Sequence, residues 1–255
     1  MSMYDKLRRD IRISKGYTDS NSWVPDWACG MKKVLYVNGC SHTHGTETAM
    51  DGRLDLTWPN LLTNYLNYEL INDSKKGASN DHIFRTTIEH ILSSAIPPDK
   101  VVIQFTEPER LEINGKKLNP RALASNTKFD YFIKEYFPQL EPPNIEFSNK
   151  LLNQIYTLEI LLKEHGVDDY FFLIWRSVNT KYITYKFINK NKMVFDVSHK
   201  LSQKYKVSQK IDPKTNLPDY HFGRDAHYEL FEWVKINKSW EGELKNPDEW
   251  YNHIY

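Results

Sequence analysis

The sequence predicts an α/β domain in three layers, a parallel sheet with helices on both of its faces. Three observations carry this. The runs around Val34–Val37, Val101–Phe105 and Tyr170–Trp175 are apolar without alternation, as strands buried on both faces are, whereas a half-solvated strand alternates. Between them lie stretches with apolar residues at helical spacing, so strands and helices take turns along the chain. The 255 residues suit one such domain with appendages better than two full domains.

The elements follow in order. Residues 1–30 read as an N-terminal arm: Asp19, Ser20, Asn21, Ser22, Pro25 and Gly30 break periodicity, while Trp23, Val24 and Trp27 suggest docking elsewhere. The domain proper covers 31–237. Its first strand, 33–39, ends in Gly39. A helix over 58–66 has Thr57 as N-cap and Pro59 in the first turn, where a missing N–H costs little. Leu70-Ile71-Asn72 is a weaker strand, followed by a loop at 75–80. A helix from about 81 to 94 then gathers Ile83, Phe84, Thr87, Ile88 and Ile91 on one face, and Pro97-Pro98 stops it. After the strand at 101–105 comes an irregular insertion, about 106–146. A helix over 148–165 is ended by Gly166, and the strand at 170–175 follows. Residues 177–217 are rich in Lys and Asn, with a helix expected near 197–205. A last helix near 226–236 precedes a polar tail, 238–255.

Composition narrows the function. Lys and Arg total 34 against 33 Asp and Glu, without the basic excess of a general nucleic-acid binder. An aromatic fraction of 14% argues against disorder. The first residues hold no apolar core of signal-peptide length, and no run approaches the roughly 20 apolar residues that span a bilayer. A cytoplasmic protein without membrane contact is expected, with Cys29 and Cys40 as reduced thiols.

An open parallel sheet holds its site beyond the carboxyl ends of its strands. That rule singles out the loops at 39–47, 74–80, 104–112, 175–180 and, if it folds back, 218–227. The first reads Gly39-Cys40-Ser41-His42-Thr43-His44-Gly45 and can present the Ser41 hydroxyl at the sheet edge. It is not the Gly-x-Ser-x-Gly elbow, since position 43 is Thr. The last holds Asp219, His221 and His227. Together they offer a hydroxyl to attack, an imidazole to take its proton, and a carboxylate to orient the imidazole. Other readings stand beside this one. His42, His44, His221 and His227 with Asp219 or Asp225 could form a Zn²⁺ or Mn²⁺ site. Cys40 is either a thiol nucleophile or inert packing. Glu107, Glu109 and Arg110 form an ion-paired strand exit or grip a polar substrate.

These loops resemble the blocks of the SGNH (GDSL-like) hydrolase superfamily, including its bacteriophage-encoded members. Gly39-Cys40-Ser41 matches the Gly-Asp-Ser block, with Cys in the Asp position. Gly77, in Gly77-Ala78-Ser79-Asn80-Asp81, fits the second block, whose Gly binds the oxyanion through its N–H. His221 and His227 match the last block and the second His that opens the final helix. Asp219 lies two residues before His221, where the family pattern has three. The third block's Asn has no counterpart, and Asn80, Gln104, Thr106 and Arg110 are the candidates to replace it.

The resemblance implies a flavodoxin-like fold with a long insertion after the third strand. It also implies ester hydrolysis or acyl transfer by Ser41, His221 and Asp219, without metal or other cofactor. The polar composition favours a carbohydrate or small polar ester. Two alternatives remain open at this point: a non-catalytic binding or structural protein of viral origin, acting in the host cytoplasm and able to oligomerise, and a metal-dependent hydrolase.

Overall fold

Alternation along three strands assigns the layers of this molecule. The structure, a computed structural model, describes residues 32–45, 53–94, 97–107, 110–113, 116–118, 145–174, 186–189, 192–195 and 224–237. In chain order these hold β1 (Val34–Asn38), α1 (Ser41–His44), a 3₁₀ turn (Leu54–Leu56), α2 (Trp58–Leu66), β2 (Glu69–Asn72), α3 (Asn80–Ser93) and β3 (Lys100–Phe105). Then come β4 (Leu111–Ile113), β5 (Lys116–Leu118), α4 (Ile145–Glu164), β6 (Tyr170–Ile174), β7 (Met193–Phe195) and α5 (Arg224–Asn237).

Five strands form one sheet in the order β2-β1-β3-β6-β7, every pair parallel. This is the doubly wound, flavodoxin-like order, whose direction of winding reverses between β1 and β3. Tyr36, Val101, Ile103, Phe105, Tyr170, Phe172 and Ile174 point to one face and pack against Ile83 and Ile91 of α3 and Leu151, Ile155 and Leu158 of α4. Leu35, Val37, Val102, Phe171 and Leu173 point to the other, against Trp58 and Leu62 of α2 and Ala226, Leu230 and Val234 of α5. Each fully buried side chain of this size contributes about 1.5–3 kcal/mol relative to exposure. The predicted α/β/α layering is what forms.

Helix ends obey local chemistry. Gly166, at φ 68°, closes α4: its N–H donates to the Lys163 carbonyl at 3.0 Å and the Val167 N–H to Leu162 at 2.8 Å. Those paired bonds are the Schellman arrangement, which favours glycine at this place. At α2, Thr57 occupies the N-cap position but its side chain does not cap. Its hydroxyl donates instead to the Leu54 carbonyl, 2.9 Å away.

Two elements depart from expectation. The insertion contains an antiparallel pair, β4 with β5, which docks on α3 through Glu112, 3.3 Å from His82 Nδ1 and from Arg85. Asn114-Gly115, between Ile113 and Lys116, is a strong hairpin signal that an irregular insertion leaves out. The Lys- and Asn-rich region supplies the edge strand β7. Nearby, the buried Glu159 carboxylate anchors residue 189, accepting from the Asn189 N–H at 3.0 Å, the Tyr170 hydroxyl at 2.9 Å and Lys163 at 2.7 Å. The arm at 1–30, the helix near 197–205, the tail and most of the insertion lie outside the described residues.

Candidate active site

The winding reverses between β1 and β3, and Ser41 stands just beyond the carboxyl end of β1 at that reversal, where sheets of this kind hold their sites. Ser41 opens α1 and is 2% exposed. The turn that carries it is built from backbone. Thr43 and His44 N–H groups donate to the Cys40 carbonyl at 3.1 and 3.0 Å, and Gly45 N–H to that of Ser41 at 3.0 Å. Gly45, at φ 72°, ends it.

Gly39 sits in a space that no other residue fits. A Cβ there would meet the Thr43 hydroxyl, lie 2.8 Å from Thr43 Cβ and 3.1 Å from Gln104 Cβ. The Thr43 hydroxyl in turn donates to Gln104 Oε1 in β3. Both amide groups of Gly39 are held: its N–H donates to Asn38 Oδ1 at 2.8 Å, and its carbonyl accepts from Lys75 N–H at 3.0 Å.

Lys75 begins the loop after β2, where Gly77 adopts φ 69°, a left-handed conformation that costs glycine little. Ser79 caps α3 by accepting from the His82 N–H at 3.2 Å. Asn80, the next residue, is buried, and its side chain bonds across to β3's exit. Oδ1 accepts from the Thr106 N–H at 2.8 Å, and Nδ2 donates to the Thr106 carbonyl at 3.2 Å. Arg110 pairs with Glu107 at 3.4 Å, the ion-paired exit foreseen; Glu109 lies outside the described residues.

Ser41, Gly77, Asn80, Gln104, Thr106 and Arg110 therefore share the carboxyl edge of the sheet. Of the residues nominated as oxyanion donors, Asn80 ties α3 to the exit of β3, and the Gln104 side-chain oxygen accepts from Thr43. Asp219 and His221 lie outside the described residues. Two residues of the site were missed, Asn38 and Thr43. A polar residue ending an otherwise apolar strand run was the available signal for Asn38, since a buried amide must find partners. Cys40 is buried in the core beside Tyr36, Ala78 and Ile83, where a thiol packs as a small hydrophobe.

The histidines separate. His44 is exposed at the end of α1, and His42 is buried. His227, in the first turn of α5, is fully buried, and its Nδ1 accepts from the Trp58 N–H at 3.3 Å. It thus supplies from α5 the acceptor that Thr57 does not supply to α2. An accepting Nδ1 places the ring proton on Nε2, and burial drives the pKa down from 6.5 to about 3. No group of three or more His, Cys, Asp or Glu able to hold a metal occurs among the described residues.

The His227 shift predicts an acid-side loss of stability. Between about 6.5 and 3 the unfolded chain binds a proton that the folded chain refuses, so stability is full above 6.5 and falls on acidification. The slope is about 1.4 kcal/mol per pH unit. Wild-type melting temperature is expected to fall more steeply from pH 7 to pH 5 than that of His227→Asn, which keeps an acceptor and loses the titration. Parallel curves would remove this assignment.

No protein-family model and no curated protein sequence matches the chain. Solved structures of similar shape include an esterase, EstA, from a Pseudoalteromonas species, inhibited by monoethylphosphonate: 12% identity, 86% of this chain and 99% of that one, TM-score 0.44. An acetyl xylan esterase, Est2A, from Butyrivibrio proteoclasticus shows 12% identity over 85% of this chain and 66% of its own, TM-score 0.43. A lipase/acylhydrolase from Enterococcus faecalis shows 13% identity over 84% and 99%, TM-score 0.40. Similarity at that level is not evidence of shared chemistry. No helix among the described residues is long and apolar enough to cross a membrane.

Proposed function

We propose that the chain is a serine-dependent hydrolase or acyltransferase acting on an O-acyl ester of a carbohydrate or another small polar molecule. The observation that supports this is the setting of Ser41. It follows β1 directly at the reversal of winding, in a turn held through both amide groups of Gly39. Ser41 Oγ attacks the acyl carbon while His221 takes its proton, and Asp219 orients the imidazole. The N–H groups of Ser41 and Gly77 receive the developing oxyanion. His221 returns the proton to the departing alcohol, and water or a second alcohol then releases the acyl group. The Glu107–Arg110 pair and Thr106 border this edge and suit a polar substrate. The reaction belongs in the cytoplasm, that of the host cell if the chain is virus-encoded.

A second reading, a non-catalytic binding or structural protein of this shape, draws on one observation. The Asn80 amide bonds within the frame through both its oxygen and its nitrogen, and a missing oxyanion donor typically lowers turnover by about 10²–10³. Turnover of p-nitrophenyl acetate and labelling by a reactive aryl phosphonate discriminate the two. The enzyme gives turnover and a stoichiometric phosphonate adduct on the peptide containing Ser41. Neither signal, at any protein concentration, leaves the binding protein.

A further inference from the structure

We infer that Asn38 is a positioning residue for Ser41, tying the turn that presents the serine to helix α3. The inference rests on the serine reading above. Asn38 ends β1, fully buried, on the face that Tyr36 shares. Its Oδ1 accepts from the Gly39 N–H at 2.8 Å. Its Nδ2 lies 2.8 Å from Thr86 Oγ1 and 3.0 Å from Thr87 Oγ1, with the Ile83 carbonyl and the Tyr36 hydroxyl each at 3.2 Å. The Thr86 hydroxyl spends its hydrogen on the His82 carbonyl at 2.8 Å, so its oxygen can only accept from the amide. The amide therefore has one orientation, nitrogen toward α3 and oxygen toward Gly39.

A buried amide is costly beside an aliphatic side chain of the same size unless all its bonds are made. The ladder of β1 is backbone and needs no polar side chain at its end. What Asn38 adds is a link that backbone cannot supply. Gly39 has no side chain, and its outer amide group already bonds to Lys75 in the loop that carries Gly77. Asn38 fixes the inner one against α3, the helix whose first residue, Asn80, grips Thr106. One helix thus sets the serine turn and the exit of β3 relative to the loop after β2. Misplacement of reacting groups by about 1 Å can lower a rate by about 10²-fold, so such a link bears on turnover.

The test uses the full chain with Asn38→Leu, which keeps volume and removes both the acceptor for Gly39 and the donors to α3. With p-nitrophenyl acetate, Asn38→Leu is expected to lower kcat about 10²-fold with KM little changed. Hydrogen exchange is expected to accelerate over 38–45 in Asn38→Leu and to stay slow over 101–105. Wild-type kcat and unaltered exchange over 38–45 in Asn38→Leu would overturn the assignment. So would equal acceleration over both segments. If the wild type shows no Ser41-dependent turnover, the serine reading alone fails, and the exchange comparison still decides the positioning. If Asn38→Leu does not fold, Thr86→Val with Thr87→Val removes the two α3 hydroxyls nearest the amide, and the same two outcomes apply.

Discussion

Replacing Ser41 with alanine is expected to lower p-nitrophenyl acetate hydrolysis by about 10⁴–10⁶-fold, the range seen when a nucleophile that works with a base is removed. The remainder would reflect binding and backbone donors. Among the described residues, the frame around α1 is built without the hydroxyl. The bonds that build α1 run between backbone groups, with Gly45 N–H on the Ser41 carbonyl, and the substitution leaves them in place. Unfolding free energy should therefore change by about 1 kcal/mol or less. Steady-state kinetics with a urea titration on the same samples separate chemistry from folding. Equal rates for the two proteins eliminate the serine mechanism. A rate loss matched by unfolding would deny Ser41 a chemical role.

Gly39→Ala is expected to damage both stability and turnover. The added methyl would meet the Thr43 hydroxyl and lie 2.8 Å from Thr43 Cβ, with Gln104 Cβ at 3.1 Å on its other side. Neither neighbour is a flexible chain end: one sits in α1 and the other in β3. Forcing an extra methyl into a packed site typically costs about 1–3 kcal/mol. Pushing Thr43 aside also breaks its bond to Gln104, and buried polar groups left unpaired cost about 1–3 kcal/mol more. Together that is a sizeable share of the roughly 5–15 kcal/mol that holds a domain folded. The double variant Gly39→Ala/Thr43→Ala should recover only part, since the contact with the residue 43 Cβ persists. Urea midpoints of the single and double variants check this. A Gly39→Ala protein as stable as wild type would mean that the turn yields freely, and Ser41 would lose its rigid seat.

Much of the frame was legible in the sequence for a physical reason. A strand covered on both faces has to be apolar at every position, so β1, β3 and β6 stand out, and α2 and α3 match expectation to within a residue. The hairpin β4–β5 has its own local signal in Asn114-Gly115. What could not be read were partners chosen by the folded state. Thr57 has the composition of a cap, yet His227, far along the chain, is what meets the Trp58 N–H. Asn80 looks like a spare donor until Thr106 arrives beside it. Thr43 and Gln104 gain a shared role only when β3 lies against β1. That Ser41 and Gly77 stand at the carboxyl edge was legible because that rule needs only strand order; the roles given to them belong to the proposal. Asp219 and His221 rest on the sequence alone.

The stretch between β3 and α4 covers residues 106–144, and its described part, the β4–β5 hairpin, docks on α3. Doubling the length of a connection adds only about 0.6 kcal/mol to the cost of closing it. Descendants of this chain can therefore lengthen, trim or recast that stretch while the five parallel strands stay as they are. Length variation among related chains is expected to concentrate in this one interval.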